Sequence, residues 1–114
     1  MGPVVGVRRG DLITVAVNDD CGKPRPALVV QSDYLPETDS ILVCPLTTTI
    51  RDVPIYRLAL PANAATGLRQ PSQIMVDKMT AVRRDRCGPP IGQVDSEALA
   101  KLKALLAFVL GVAD

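Results

Sequence analysis

Between Lys23 and Val30 the chain reads Lys23-Pro24-Arg25-Pro26-Ala27-Leu28-Val29-Val30, which sets a single arginine between two prolines at the mouth of an apolar run. Each proline holds φ at about −65° and lacks an N–H, so Arg25 sits in a stiff, extended segment leading into a strand. A guanidinium with so restrained a backbone can meet a phosphate through its planar fork of donors. By itself the pattern equally describes a surface arginine at a strand edge.

Other chemistries are closed to this chain by what it lacks. It contains no histidine, so a Cys–His or Ser–His nucleophile is excluded and a zinc site lacks its usual ligands. Cys21, Cys44 and Cys87 are far apart, with no Cys-x-x-Cys pair, which suits a reducing compartment. Asp19-Asp20 is followed by no further carboxylates at cation-loop spacing and reads as a solvated turn. Any chemistry therefore runs on Asp, Glu, Lys, Arg, Thr, Ser, Tyr or Cys, and no cofactor is expected. The net charge of +1 gives no global attraction to nucleic acid, so a nucleic-acid binder here needs a local basic groove. Tyr34, Tyr56 and Phe108 are the whole aromatic complement, too few for modules that stack successive bases on exposed rings.

These residues must be positioned by a single small domain spanning 1–114, which should bury roughly 65% of its unfolded surface. No apolar run approaches the roughly 18–20 residues that span a bilayer. The first residues place Arg8-Arg9 after a very short apolar stretch, the reverse of a secretory signal, and this reads as cytoplasmic. Asp11 to Asn18 alternates as a first strand, with Ile13, Val15 and Val17 on one face. The turn-rich stretch Asn18 to Pro24 reads as an exposed loop. Further strands are expected at Ala27–Gln31, at Ile41–Leu46 continuing through Thr47-Thr48-Thr49, and at Tyr56–Leu60. Pro45 marks an edge, a bulge or a last rung. Gln73–Val76 and Met79–Val82 complete the strands, with Asp77-Lys78 as a bulge between them, and Arg83, Arg84 and Arg86 read as a solvated helical turn. One helix follows, with Asp95 as N-cap and Gly111 as the stop. Leu99, Leu102, Leu106 and Val109 form its apolar stripe, widened by Leu105 and Leu110. Many short strands with Gly and Pro turns plus one terminal helix predict a mainly β, compact antiparallel barrel.

Five segments in order carry a family resemblance: Arg9-Gly10-Asp11-Leu12, Arg25-Pro26-Ala27-Leu28-Val29-Val30-Gln31-Ser32-Asp33, Cys44-Pro45-Leu46-Thr47-Thr48-Thr49, Gly67-Leu68-Arg69-Gln70-Pro71-Ser72-Gln73-Ile74-Met75-Val76-Asp77, and Ile91-Gly92-Gln93-Val94. From about Arg8 to Gly111 the chain resembles the MazF/PemK (Kid) toxins of bacterial type II toxin–antitoxin modules. The resemblance implies an SH3-like barrel of the CcdB/PemK type that forms a homodimer and cleaves single-stranded RNA without a metal. It further implies a cognate MazE-like antitoxin as partner. The family's Arg-Pro-Ala/Val-Leu-Val arginine falls on Arg25 and its Pro-Leu-Thr threonine on Thr47, with Thr48 at the neighbouring phosphate-contacting position. An acid proposed as catalytic in some members falls on Asp77. Two departures stand out: Met75 replaces the arginine that some members carry two residues before that acid, and no histidine occupies the first loop.

Metal-free RNA cleavage uses the substrate's own 2′-OH as nucleophile. What usually lowers its barrier most is stabilisation of the charge that builds on phosphorus-bound oxygen. Arg25 and the Thr47 hydroxyl can supply that stabilisation. Asp77 needs burial to become a base at neutral pH, and its alternative part is to cap a bulge or pair Lys78 or an arginine. Lys23, Thr48, Arg69, Gln70, Ser72 and Gln73 are the remaining residues expected along an RNA groove. A gyrase-poisoning toxin like CcdB resembles the same barrel but relies on a tail containing tryptophan, which this chain lacks. A non-catalytic barrel that only binds nucleic acid or protein is the third reading.

Overall fold

The computed structural model describes residues 6–16, 23–35 and 37–112. Its elements are β1 (Asp11–Ala16), β2 (Pro24–Val29), β3 (Ser40–Thr47), β4 (Arg57–Leu60), β5 (Ser72–Met75), β6 (Thr80–Arg83), β7 (Cys87–Gln93) and α1 (Ser96–Leu110). Short 3-10 turns at Val76–Lys78 and Arg84–Arg86 join β5 to β6 and β6 to β7. All pairings are antiparallel. The strand path β4-β5-β3-β2-β1-β7 is open between its ends, and β6 joins β3 beside β5. This curled sheet with its terminal helix is the barrel-like, mainly β architecture expected.

The central strands are apolar on both faces, which is why their sequences read as runs rather than as alternation. Leu12, Leu28, Cys44, Leu46 and Ile74 point to the side covered by α1, where Leu102 and Leu106 are buried against them. Ile13, Ala27, Val29, Ile41 and Val43 point to the other side, closed in part by Val15, Val82 and Cys87 as β6 and β7 curl inward. Asp95 caps α1 by accepting the Ala98 N–H at 2.8 Å, and Gly111 ends it in the left-handed conformation at φ 73°. Of the expected stripe, Leu99, Leu105 and Val109 are partly buried, whereas Leu110 is exposed because it lies past the edge of the sheet-facing stripe.

Some sequence expectations change or fall outside the described residues: β2 runs Pro24–Val29 rather than Ala27–Gln31, β3 ends at Thr47 rather than continuing through Thr49, and Arg83 ends β6 rather than joining the turn after it. The first strand is described only as far as Ala16, so Val17, Asn18 and the Cys21 loop lie outside the described residues. The step between β5 and β6 is a 3-10 turn rather than a bulge at Asp77-Lys78, because β5 pairs with β4 and β3 while β6 returns along β3 alone. β7 is a strand that the residues Gly88-Pro89-Pro90 conceal. It forms at the sheet edge on β1, with register shifts either side of Ile13, where proline's missing donor is tolerated. The 61–68 loop docks on this strand: the Gln93 N–H donates to Ala65 O at 2.9 Å, and the buried Thr66 hydroxyl donates to Pro61 O at 2.8 Å. A Cβ on Gly67, whose φ is +71°, would stand 2.0 Å from the Ile91 carbonyl oxygen. Gly67→Ala is therefore expected to destabilise the fold by about 2 kcal/mol or more, from left-handed strain plus backbone displacement. A denaturant midpoint equal to the parent's would contradict that docking.

Candidate active-site groove

Prolines decide where β2 and β3 part. The Val30 N–H donates to Leu42 O at 3.0 Å, and Leu28 faces Cys44 in the same ladder. Two residues further along, the next hydrogen-bonding position is Pro26 opposite Leu46, and Pro26 has no N–H to give. The pairing accordingly stops at Ala27 and Pro45. By the same alternation, the Pro45 nitrogen faces the other neighbour, in the gap where pairing with β6 has ended at Val43 and pairing with β5 begins at Leu46. Beyond this point β3 leaves β2 and continues with β5. Extending the Ala27–Pro45 register by two residues brings Arg25 and Thr47 to the two lips of the opening, on one face of the sheet.

A groove of about 850 Å³ fills the opening, and Arg25 and Thr47 both line it. Val15, which pairs with Arg25, and Met75 contribute apolar surface. The Thr47 hydroxyl accepts the Thr49 N–H at 3.1 Å, so its own proton remains to be donated. Arg83 and Arg86, from the end of β6 and the turn after it, also line it. Among the described residues no carboxylate lines the groove. The structure thus brings together Arg25 and Thr47, with Met75 where some relatives of the expected family carry arginine.

The other expected residues fall elsewhere. Lys23 is exposed just ahead of β2, Thr48 is exposed just past β3, and Arg69 and Gln70 are exposed in the loop before β5; none of them lines the groove. Asp77 is exposed in the first turn of its 3-10 segment and is also outside the lining. Its charge is felt by Cys44, whose thiol is pushed from 9.0 up to about 11, by burial first and by Asp77 second. That shift keeps Cys44 protonated and inert at neutral pH.

Ser72 and Gln73 are buried, and both are engaged internally. The Ser72 hydroxyl donates to Gln70 O at 2.9 Å. The Gln73 amide clamps the turn that follows Thr47: Oε1 accepts the Arg51 N–H at 3.1 Å, and Nε2 donates to Arg51 O at 2.9 Å. Arg57 completes the clamp, its Nη1 donating to Gln73 Oε1 at 2.9 Å and to Thr49 O at 3.0 Å. Reading Gln73 as a groove residue fails to anticipate this, because nothing in Ser-Gln-Ile-Met says which face of β5 meets a loop. Arg57 belongs to no motif, and nothing around it in the chain marks it out. Gln73→Ala is expected to cost about 1–3 kcal/mol by leaving the Arg51 backbone without its partners and the Arg57 guanidinium with Thr49 O alone. It should also speed hydrogen exchange at the Arg51 amide; unchanged protection there would refute the clamp.

A small curled sheet with a terminal helix and a basic groove at a splayed strand end is the frame of a known toxin class, and the comparisons define which. Residues 8–110 match the family model described as the PemK-like, MazF-like toxin of type II toxin–antitoxin systems, and the chain belongs to that family. It is 36% identical over 108 residues to a protein named probable endoribonuclease MazF of Mycolicibacterium smegmatis, covering 94% of this chain and 99% of that one. It is 30% identical over 90 residues to endoribonuclease MazF3 of Mycobacterium tuberculosis, covering 78% and 81%. Among solved structures, the M. tuberculosis toxin MazF-mt6 aligns with a TM-score of 0.73 at 25% identity, over 88% of this chain and 96% of that one. A MazE–MazF structure from Deinococcus radiodurans aligns at 0.75 and 24% identity, over 92% and 96%, and supports the fold. Among the described residues no helix is long and apolar enough to cross a membrane.

Proposed function

We propose that this chain is a toxin endoribonuclease that cleaves single-stranded RNA, mRNA included, at specific sequences in the cytoplasm. The reaction needs no metal. The observation that carries the reading is the groove itself: Arg25 and Thr47 stand on its two lips, and its described lining residues include no carboxylate to repel a phosphate.

The 2′-OH of the substrate attacks the adjacent phosphorus as its proton passes to solvent, and the 5′-oxygen of the next nucleotide leaves and takes up a proton from water, producing a 2′,3′-cyclic phosphate. Arg25 donates to the oxygens that gain charge in the phosphorane, and the Thr47 hydroxyl adds a second donor from the other lip. The backbone behind both donors is fixed before the reaction begins: at Arg25 by the two prolines and its pairing with Val15, and at Thr47 by the turn that Gln73 and Arg57 clamp. Little donor reorganisation then accompanies the transition state. Asp77 is assigned a structural part, since it lies outside the groove lining, and Asp77→Asn should be mild. Lys23, Thr48, Arg69 and Gln70, all exposed, are left as outer contacts for RNA. Ser72 and Gln73 act from beneath.

The active form is a homodimer, in which two copies of the groove extend the path for one strand. Exposed Ile50, Ile55 and Phe108 leave apolar surface for an isologous patch. A cognate antitoxin inhibits by laying an extended acidic or amphipathic segment over the arginine-lined groove. The direct test is incubation of the purified protein with a mixed RNA pool in EDTA, followed by mapping of the new 5′ ends. Clustered ends sharing a short sequence are expected, and an uncut pool would overturn the reading.

A further inference from the structure

The part of the groove lining contributed by the β6–β7 junction has an arrangement of its own. Arg83 ends β6, and the 3-10 turn Arg84–Arg86 follows it. Arg83 is still extended, at φ −61° and ψ 140°, and the chain turns only from Arg84, so the three guanidinium groups are not all presented to one hollow. Arg83 and Arg86 line the Arg25 groove; Arg84 does not, but lines a hollow with Arg8 and Arg9 and shares another with Arg83 and Asp85, and its Nε donates to Thr38 O. Arg83 is held by Asp85 in an exposed ion pair. Arg86 is half-buried and makes no hydrogen bond or ion pair with the described residues. An arginine that is half desolvated, unpaired and set in a groove without carboxylates among its described lining is a site for an anion from outside.

Resting on the reading of the groove as an RNA site, we infer that Arg86, supported by Arg83, forms a second phosphate subsite for a backbone phosphate flanking the scissile one. A single strand presents one phosphate per nucleotide, and a groove lined by arginines from both β2 and the β6–β7 junction can hold two of them at once. The subsite gives binding and register rather than chemistry, because Arg25 and Thr47 already serve the reacting phosphate from β2 and β3. Phosphate contacts of this kind fix the strand's position without reading bases.

The test uses the full chain and an oligonucleotide made uncleavable by a 2′-methoxy group at the scissile position. Arg86→Ala should weaken its binding about tenfold, the loss of one charge-assisted contact. It should also flatten the log–log salt dependence by about 0.7, the slope of one phosphate contact on a single strand. Arg86→Lys, which keeps the charge and loses the fork, should restore the slope but not the full affinity. Methylphosphonate placed at each backbone position in turn should find one site, next to the scissile phosphate, where neutralisation weakens the parent but not Arg86→Ala. Wild-type affinity in Arg86→Ala would overturn the subsite, and so would the absence of any coupled position. A variant that loses affinity for the antitoxin while binding the oligonucleotide normally would reassign the wall to protein binding. Arg25→Ala, assayed alongside for cleavage, separates the two levels. If it cuts normally, the reading of the groove fails; if it is inactive while Arg86→Ala binds normally, only the subsite fails.

Discussion

Arg25→Ala is expected to slow RNA cleavage by about 10²–10³-fold, the cost of removing one preorganised donor from a transition state that gathers negative charge. The groove holds Arg25 at one lip, with its backbone fixed by Pro24, Pro26 and the ladder to β1, where Thr14 faces Pro26 and Ala16 faces Pro24. Truncation removes the cation without disturbing a core residue. The melting temperature should stay close to the parent's, because changes at exposed sites usually shift stability by under about 0.5 kcal/mol. Arg25→Lys should recover only part of the rate, since a single ammonium cannot reproduce two parallel donors. Thr47→Val keeps the shape at the other lip and loses the hydroxyl. It should also be severe, and it removes the acceptor for the Thr49 N–H as well. Single-turnover cleavage and a melting curve on each variant decide the matter. A fully active Arg25→Ala protein would remove this groove from consideration as the active site.

Replacement of the scissile 2′-OH by hydrogen or by a methoxy group is expected to abolish cleavage, with a fall on the order of 10³-fold or more. The nucleophile in the proposed reaction belongs to the substrate and already sits beside the phosphorus. Its removal leaves only a bimolecular attack by water, for which the chain supplies no histidine. EDTA should leave cleavage of the unmodified RNA unchanged, and the products should carry a 2′,3′-cyclic phosphate. Cutting of the deoxy-substituted substrate at an undiminished rate would exclude attack by the 2′-OH.

Much of the architecture could be read in the linear chain because local rules and tertiary packing agree there. α1 has a capping aspartate, an apolar stripe and a terminal glycine, and each acts where its type predicts. β1, β2 and β3 are marked by β-branched and leucine-rich runs, and their two-faced burial explains why those runs do not alternate. The turn at Arg84–Arg86 likewise matches its polar composition. β7 is concealed, because Gly88, Pro89 and Pro90 argue locally against a strand. It exists because β1 offers an edge and the 61–68 loop closes over it, with Gly67 and Gly92 leaving room for backbone against backbone.

The candidate site divides in the same way. The chain by itself determined that chemistry here must run without histidine, on carboxylate, cationic, hydroxyl or thiol groups, that Arg25 is stiffly held, and that prolines stand in the strands around it. The meeting of Arg25 with Thr47 is a tertiary matter, set by a register that runs from Val29–Val43 to Ala27–Pro45 and lapses where Pro26 has no donor. Gln73 shows the limit from the other side: as a polar residue in a motif it looks like a ligand contact, yet the fold turns it inward to bind Arg51 and Arg57. Arg83 and Arg86 show the converse, a surface-like arginine run of which two members face a groove and one does not. Side-chain type is local and can be read residue by residue. Which face a side chain occupies depends on strand register and turn pitch, and these are decided only when distant segments pair.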